Sequence, residues 1–166
     1  MLASDLSSLT TEAKCVLAAG ADELHLDVMD GCFVPNITFG PPVIECLRNN
    51  LGADPFFDCH MMVAKPSQWV PEIAKAGGSR YCFHLEAVEG DEGVGGDVVR
   101  LCEMIRKNGM KVGVALKPGT GVEAVSSFVD IVSCSRLISQ HLVPSRLISS
   151  HLISSLQNHP TLPPLG

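Results

Sequence analysis

The chain has 166 residues, 46% hydrophobic and 18% charged, with a formal net charge of −6. That length and apolar fraction suit one globular domain and exclude a chain disordered throughout. The acidic balance argues against binding a nucleic-acid backbone, and no apolar run reaches the roughly 18 residues of a membrane span. Residues 1–5 show no basic region leading into an apolar one, so no signal peptide is read. The expectation is a cytoplasmic protein that partners neither nucleic acid nor membrane.

Residues 5–19 space Leu6, Leu9, Ala13, Val16 and Leu17 mostly three or four apart, one face of a helix. Gly20 then releases the chain into an apolar run over 23–29, read as a strand. A loop punctuated by Asp30-Gly31 and extending to Gly40 follows; it is either a pocket wall or a plain connector. A helix over 42–50 ends at Gly52, and a strand over 55–63 follows it. The same unit repeats with a helix over 66–76, Gly77 and a strand over 80–86. It repeats again with a helix over 97–108, Gly109 and a strand over 111–117, and a helix over 121–129 comes last. Two helices open with proline in the first turn, where the missing N–H costs nothing. Four largely apolar strands alternating with helices predict an α/β fold with a parallel sheet covered by helices.

The composition breaks near residue 130. All 18 acidic residues lie between Asp5 and Asp130, and residues 131–166 carry only Arg136 and Arg146 as formal charges. A ten-residue unit starting at Ser135 repeats at Ser145 with seven identities in ten, and the end is proline-rich. A period of ten matches no established solenoid, so the tail is read as irregular, a non-native or spliced terminus or an interaction segment. The expected division is residues 1–130 as the folded part and 131–166 as a divergent Ser/Leu/Pro-rich tail. Seven cysteines with no Cys-x-x-Cys pair read as small buried hydrophobes in a reducing compartment, with a thiol nucleophile or thiolate metal site as the alternative.

Chemistry is concentrated in the polar residues inside the apolar strands. His25 and Asp27 are two apart and so share a face of their strand. His60 lies late in the next strand, and His84 with Glu86 repeats the His-x-acid spacing on the one after. Imidazole and carboxylate converging from neighbouring strands suit a borderline divalent ion, with a hydrogen-bonded polar cluster as the alternative. Met29, Met61 and Met62 read by type as core filler, and Lys117 as a solvated side chain.

Five motifs taken together are specific. His25-Leu-Asp-Val-Met-Asp-Gly31, Phe33-Val-Pro-Asn-Ile-Thr-Phe-Gly40, Asp58-Cys-His-Met-Met-Val63, Phe83-His-Leu-Glu86 and Lys117-Pro-Gly-Thr120 resemble the ribulose-phosphate 3-epimerase family, in order, over about residues 1–130. The resemblance implies a TIM (β/α)₈ barrel of which strands two to five are whole here. Strand one is clipped, strand six falls at 129–134, and strands seven and eight are absent. It also implies one divalent cation of the zinc, iron, manganese or cobalt class, and a pentulose phosphate substrate in the pentose phosphate pathway. Carried over residue by residue, His25, Asp27 and His60 fall on metal ligands, and Asp27 also on one of two acid/base carboxylates. His60, Met29 and Met62 fall on positions lining the substrate site. The family's second carboxylate, which is also its fourth metal ligand, has no counterpart after Asp130, and neither do its phosphate-gripping loops. The resemblance thus reads as a truncated isomerase keeping half of the acid/base pair, with little or no turnover of its own. The other readings are a non-catalytic or regulatory chain that pairs with full-length subunits or forms a homo-oligomer, and a sister epimerase for a hexulose phosphate.

Overall fold

The computed structural model describes residues 1–131 and 134–136. A 3₁₀ turn at Leu6–Ser8 leads into α1 (Leu9–Ala18), followed by β1 (Glu23–Met29), α2 (Pro41–Leu51), β2 (Phe56–Met62) and α3 (Pro66–Lys75). Then come β3 (Arg80–His84), the single turn α4 (Leu85–Val88), α5 (Val98–Lys107) and β4 (Lys111–Ala115). A 3₁₀ segment at Val122–Ile131 precedes β5 (Cys134–Arg136). The four glycines expected to end helices, Gly20, Gly52, Gly77 and Gly109, all have positive φ. Each therefore turns the chain where a side chain would be strained.

The five strands form one parallel sheet in chain order, β1-β2-β3-β4-β5. Successive parallel neighbours need a crossover each time, and α2, α3 and α5 lie in the first three crossovers. Strand residues of one parity, including Leu24, Leu26, Phe57, Met61, Tyr81, Phe83, Val112 and Val114, pack with Leu9, Ala13, Ile44, Leu47, Val70, Ile73, Leu101 and Ile105 of the helices in a single core. All crossover helices thus cover the same face, and the opposite parity is left for a second, more polar surface. Sequential parallel strands with helices on one side only are the wall of a (β/α)₈ barrel, so the expected fold class holds for this partial barrel.

Three boundaries differ from the sequence reading. β3 stops at His84, and Glu86 belongs to α4. The run read as strand to residue 117 pairs only as far as Ala115. The sixth family strand was expected over 129–134. Residues 129–131 instead continue the 3₁₀ segment, and pairing with β4 begins at Cys134. Apolar runs signal burial and not the point where ladder hydrogen bonds stop, so strand ends are their weakest product. The repeat and the proline-rich end, from residue 137 onward, lie outside the described residues.

Two polar anchors hold the helices to the sheet. The Arg48 guanidinium of α2 donates to the carbonyls of Gly52, Ala53, Pro55 and Gly77 and lies 3.7 Å from the Phe57 ring centroid. Buried Asp91 accepts from the Ser67 N–H and hydroxyl, each at 2.6 Å, tying the loop before α5 to the first turn of α3. No described helix is long and apolar enough to cross a membrane. Cys59, Cys82 and Cys102 are buried as expected, whereas Cys15, Cys32 and Cys46 are exposed, two of them on outer helix faces and one in the loop after β1. Burial pushes the Cys59 thiol well up and the Cys102 thiol to about 11, so neither supplies a thiolate at neutral pH.

Candidate metal centre

Strand register assembles the centre. His25 lies opposite Asp58, Asp27 opposite His60 and Met29 opposite Met62 across β1 and β2, and His60 lies opposite Cys82 across β2 and β3. Because side chains alternate, all of these point to the face away from the helices. His84, two residues beyond Cys82, joins them at the end of β3. His25, His60 and His84 are the only histidines before residue 131. They stack in a row with ring centroids 5.3 and 5.1 Å apart.

The three residues expected as ligands converge. Asp27 Oδ1 is 3.2 Å from His25 Nε2 and 3.0 Å from His60 Nδ1, and ligand atoms of all three lie within 4.8 Å of one another. Four tetrahedral ligands at zinc-like bond lengths stand about 3.3 Å apart, so this spacing fits one small divalent cation. Two imidazoles and one carboxylate are also the donor set such an ion takes.

Surrounding groups orient these donors. His25 Nδ1 is 2.7 Å from Asp58 Oδ2, and Asp58 Oδ1 is 3.4 Å from the Arg80 guanidinium. An ionised carboxylate only accepts, so His25 Nδ1–H donates to Asp58, and Nε2 is the nitrogen facing Asp27. Arg80 is in turn held by Glu23 in two contacts of 2.8 and 3.0 Å. A chain from Glu23 through Arg80 and Asp58 thus aims His25, in the manner of a carboxylate–histidine–metal triad. Gly113 makes room for it: a Cβ there would stand 3.0 Å from Cys82 Cβ and 3.2 Å from Arg80 Cδ.

Electrostatics follow from this packing. Burial acts to lower the pKa of His25, but the Asp27 and Asp58 carboxylates outweigh it and raise it to about 9. Burial acts to raise Asp27, and its bonds to His25 and His60 override this and hold it well below the usual carboxylate range. For His60 burial wins, helped by the His25 charge, and its pKa is lowered. The metal-free centre at neutral pH is therefore imidazolium, carboxylate and neutral imidazole.

The loop after β1 is tied to the sheet at both of its ends. Asp30 Oδ1 accepts from the Cys32 and Phe33 N–H groups and Oδ2 from Ala64 N–H, so the turn is tied to the end of β2. Thr38 bonds Asp27 O and Met29 N–H, closing the loop onto β1. Phe33 then packs 5.0 Å from the His84 ring, and the Lys117 ammonium lies 3.8 Å from the Phe33 centroid. Lys117, read from sequence as solvated, is exposed but spends its charge on that ring. Buried Met62 and half-buried Met29 lie one strand repeat beyond His60 and Asp27 on the same face. Sequence reasoning missed Asp58 and Phe33 as parts of the centre. Asp58 was findable, since its spacing from His60 repeats that of His25 from Asp27. Phe33 was not, because loop closure leaves no periodic trace.

The chain is also similar to known proteins. The model of the ribulose-phosphate 3-epimerase family matches residues 1–141. The chain is 46% identical over 130 residues to a ribulose-phosphate 3-epimerase of Oryza sativa named as a cytoplasmic isoform, covering 78% of this chain and 54% of the rice protein. It is 43% identical over 131 residues to ribulose-phosphate 3-epimerase of Schizosaccharomyces pombe, again 78% and 54%, and 37% identical over 141 residues to that of Chlamydia trachomatis, 85% and 57%. The chain spans about half the length of the curated relatives it matches. On the matched motifs, the parallel sheet and the His/Asp centre together, this chain belongs to the ribulose-phosphate 3-epimerase family.

Proposed function

We propose that this chain carries the metal-holding half of a ribulose-phosphate 3-epimerase site. The observation that supports this best is the convergence of His25 Nε2, Asp27 Oδ1 and His60 Nδ1 from two adjacent strands. In this reading those residues hold one divalent cation of the zinc, iron, manganese or cobalt class, and the substrate is a pentulose phosphate. Bound there, the cation would supply positive charge beside the substrate oxygens as negative charge develops on loss of the neighbouring proton.

Epimerising a carbon next to a ketone takes a proton from one face and returns one to the other. Asp27 suits one side of that exchange, being ionised and held at one oxygen by two imidazoles. Met29 and Met62 line the same face and give the substrate carbon chain an apolar floor that excludes water. His60 stands between the carboxylate and the next strand, within reach of a bound substrate. The partner carboxylate for the opposite face has no candidate in residues 131–166, which contain no Asp or Glu. The chain by itself therefore performs half of the proton exchange. The location proposed with this function is cytoplasmic, as in the name of the rice relative.

Calorimetric titration of the purified chain with Co²⁺ tests the centre, with a stoichiometry of one per chain expected and lost in Asp27→Asn. Absence of binding at millimolar Co²⁺ would overturn it. In a coupled assay from ribulose 5-phosphate to xylulose 5-phosphate, absence of the second carboxylate is worth about 10²–10⁴-fold in rate. Turnover equal to that of a full-length relative would refute the one-carboxylate reading.

A further inference from the structure

His84 and Glu86 take no part in the ligand set, yet they are built against it. His60 Nε2 is 2.9 Å from His84 Nε2. Two ring nitrogens at that distance share one proton, donated by one ring and accepted by the other. His60 is 1% exposed and His84 2%, so water takes neither role. On the far side of the ring, His84 Nδ1 has no hydrogen-bond partner, nor has Glu86 Oε2, and the two atoms are 3.6 Å apart. The other Glu86 oxygen is fixed by the Lys117 N–H at 2.7 Å and the Thr120 hydroxyl at 2.6 Å.

Only two proton arrangements are open to this row. In the first, His60 carries its proton on Nδ1, toward Asp27, and His84 donates from Nε2. His84 Nδ1 then turns a lone pair toward the Glu86 carboxylate, leaving two buried acceptors face to face, which is costly. In the second, His60 donates from Nε2 to His84, and His84 carries its proton on Nδ1, facing Glu86. The two unpartnered atoms then match as donor and acceptor, while His60 Nδ1 turns a lone pair toward Asp27 Oδ1 at 3.0 Å. This arrangement belongs to the cation-loaded centre, where a cation between the two atoms replaces the proton they share without it. The Phe33 ring packs against the His84 imidazole with centroids 5.0 Å apart.

We propose that His84, oriented by Glu86, is a positioning residue that sets the ring tautomer of His60 so that its Nδ1 presents a lone pair to the divalent cation. This rests on the metal-centre reading above and adds to it the group that aims the third ligand, opposite in the row to the Asp58 that aims His25. A metal-bound imidazole is commonly held by an acceptor on its other nitrogen, and losing that acceptor costs about 10–100-fold in metal affinity.

The test uses the full chain with Zn²⁺ alone as ligand. Long-range ¹H–¹⁵N correlation on the ¹⁵N-histidine-labelled, zinc-loaded chain is expected to show His60 protonated on Nε2 and His84 on Nδ1. His84→Leu removes the acceptor and should weaken Zn²⁺ binding by about 10–100-fold. His84→Gln, whose amide oxygen accepts the same proton, should restore most of it, a rescue that a merely space-filling role would not produce. His60 protonated on Nδ1 in the zinc-loaded wild type would overturn the inference, and this readout stands even if His84→Leu does not fold. So would a folded His84→Leu chain that binds zinc as tightly as wild type. A wild-type chain that takes up no zinc overturns the metal centre itself, and this inference with it.

Discussion

Metal uptake by this centre should depend steeply on pH, and the dependence follows from His25. Its pKa is raised to about 9 by Asp27 and Asp58, so at pH 7 the metal-free imidazole is protonated. A cation at Nε2 must displace that proton. Asp27 is held ionised and His60 neutral, so neither contributes a further proton at neutral pH. The sign is therefore fixed: affinity rises with pH while His25 is charged and levels off above its pKa. The two pH units between 7 and 9 correspond to about 2.7 kcal/mol, or roughly a hundredfold in affinity. Titrating Mn²⁺ or Co²⁺ against a competing chelator from pH 6.5 to 9 should give about tenfold tighter binding per pH unit, flattening near pH 9. Calorimetry in two buffers of different ionisation enthalpy should report release of close to one proton at pH 7. An affinity that does not change with pH, or a release of no proton, would refute the argument that the two carboxylates hold His25 charged.

Two further outcomes are expected. Asp58→Asn keeps an acceptor for His25 Nδ1 but removes the charge that orients it, so metal affinity should fall about 10–100-fold with the far-UV circular dichroism unchanged; unaltered affinity would show that Asp58 serves only Arg80. Gly113→Ala pushes a methyl group against Cys82 and the Arg80 stem at 3.0–3.2 Å and should destabilise the chain by about 1–3 kcal/mol in urea unfolding. A neutral result there would mean that the Arg80 side chain moves aside without loss.

Asp58, Arg80 and Gly113 show how the centre is supported. Asp58 and Arg80 are register partners on β2 and β3, and Gly113 of β4, opposite Cys82, leaves the space that the Arg80 stem occupies. This support explains how Asp58 stays buried with a charge: Arg80 and His25 stand on either side of it, where an unpaired carboxylate would cost several kcal/mol. Phe33 and Lys117 close the other end of the histidine row, so the loop after β1 and the turn after β4 are joined across the mouth of the centre.

The alternation of helix and strand was legible in the sequence because two local signals enforce it. Apolar residues recur at helical or strand spacing, and Gly20, Gly52, Gly77 and Gly109 stand where only a residue free of a Cβ turns the chain cheaply. The placement of His25 and Asp27 on one face was equally local, since a period of two needs no partner strand. What the sequence left open, a metal centre or an ordinary polar cluster, depended on register. Only the pairing of Asp27 with His60 and of His25 with Asp58 brings four polar groups from two strands within bonding distance. The His84–Glu86 pair shows the same limit from the other side. Its spacing imitated the first motif, but β3 ends at His84, and Glu86 reaches back from a helical turn instead of sharing the strand face. Local chemistry determined which elements form and which residues they carry. Tertiary pairing decided which of those residues meet, because strand register and loop closure are set by contacts far apart in the chain.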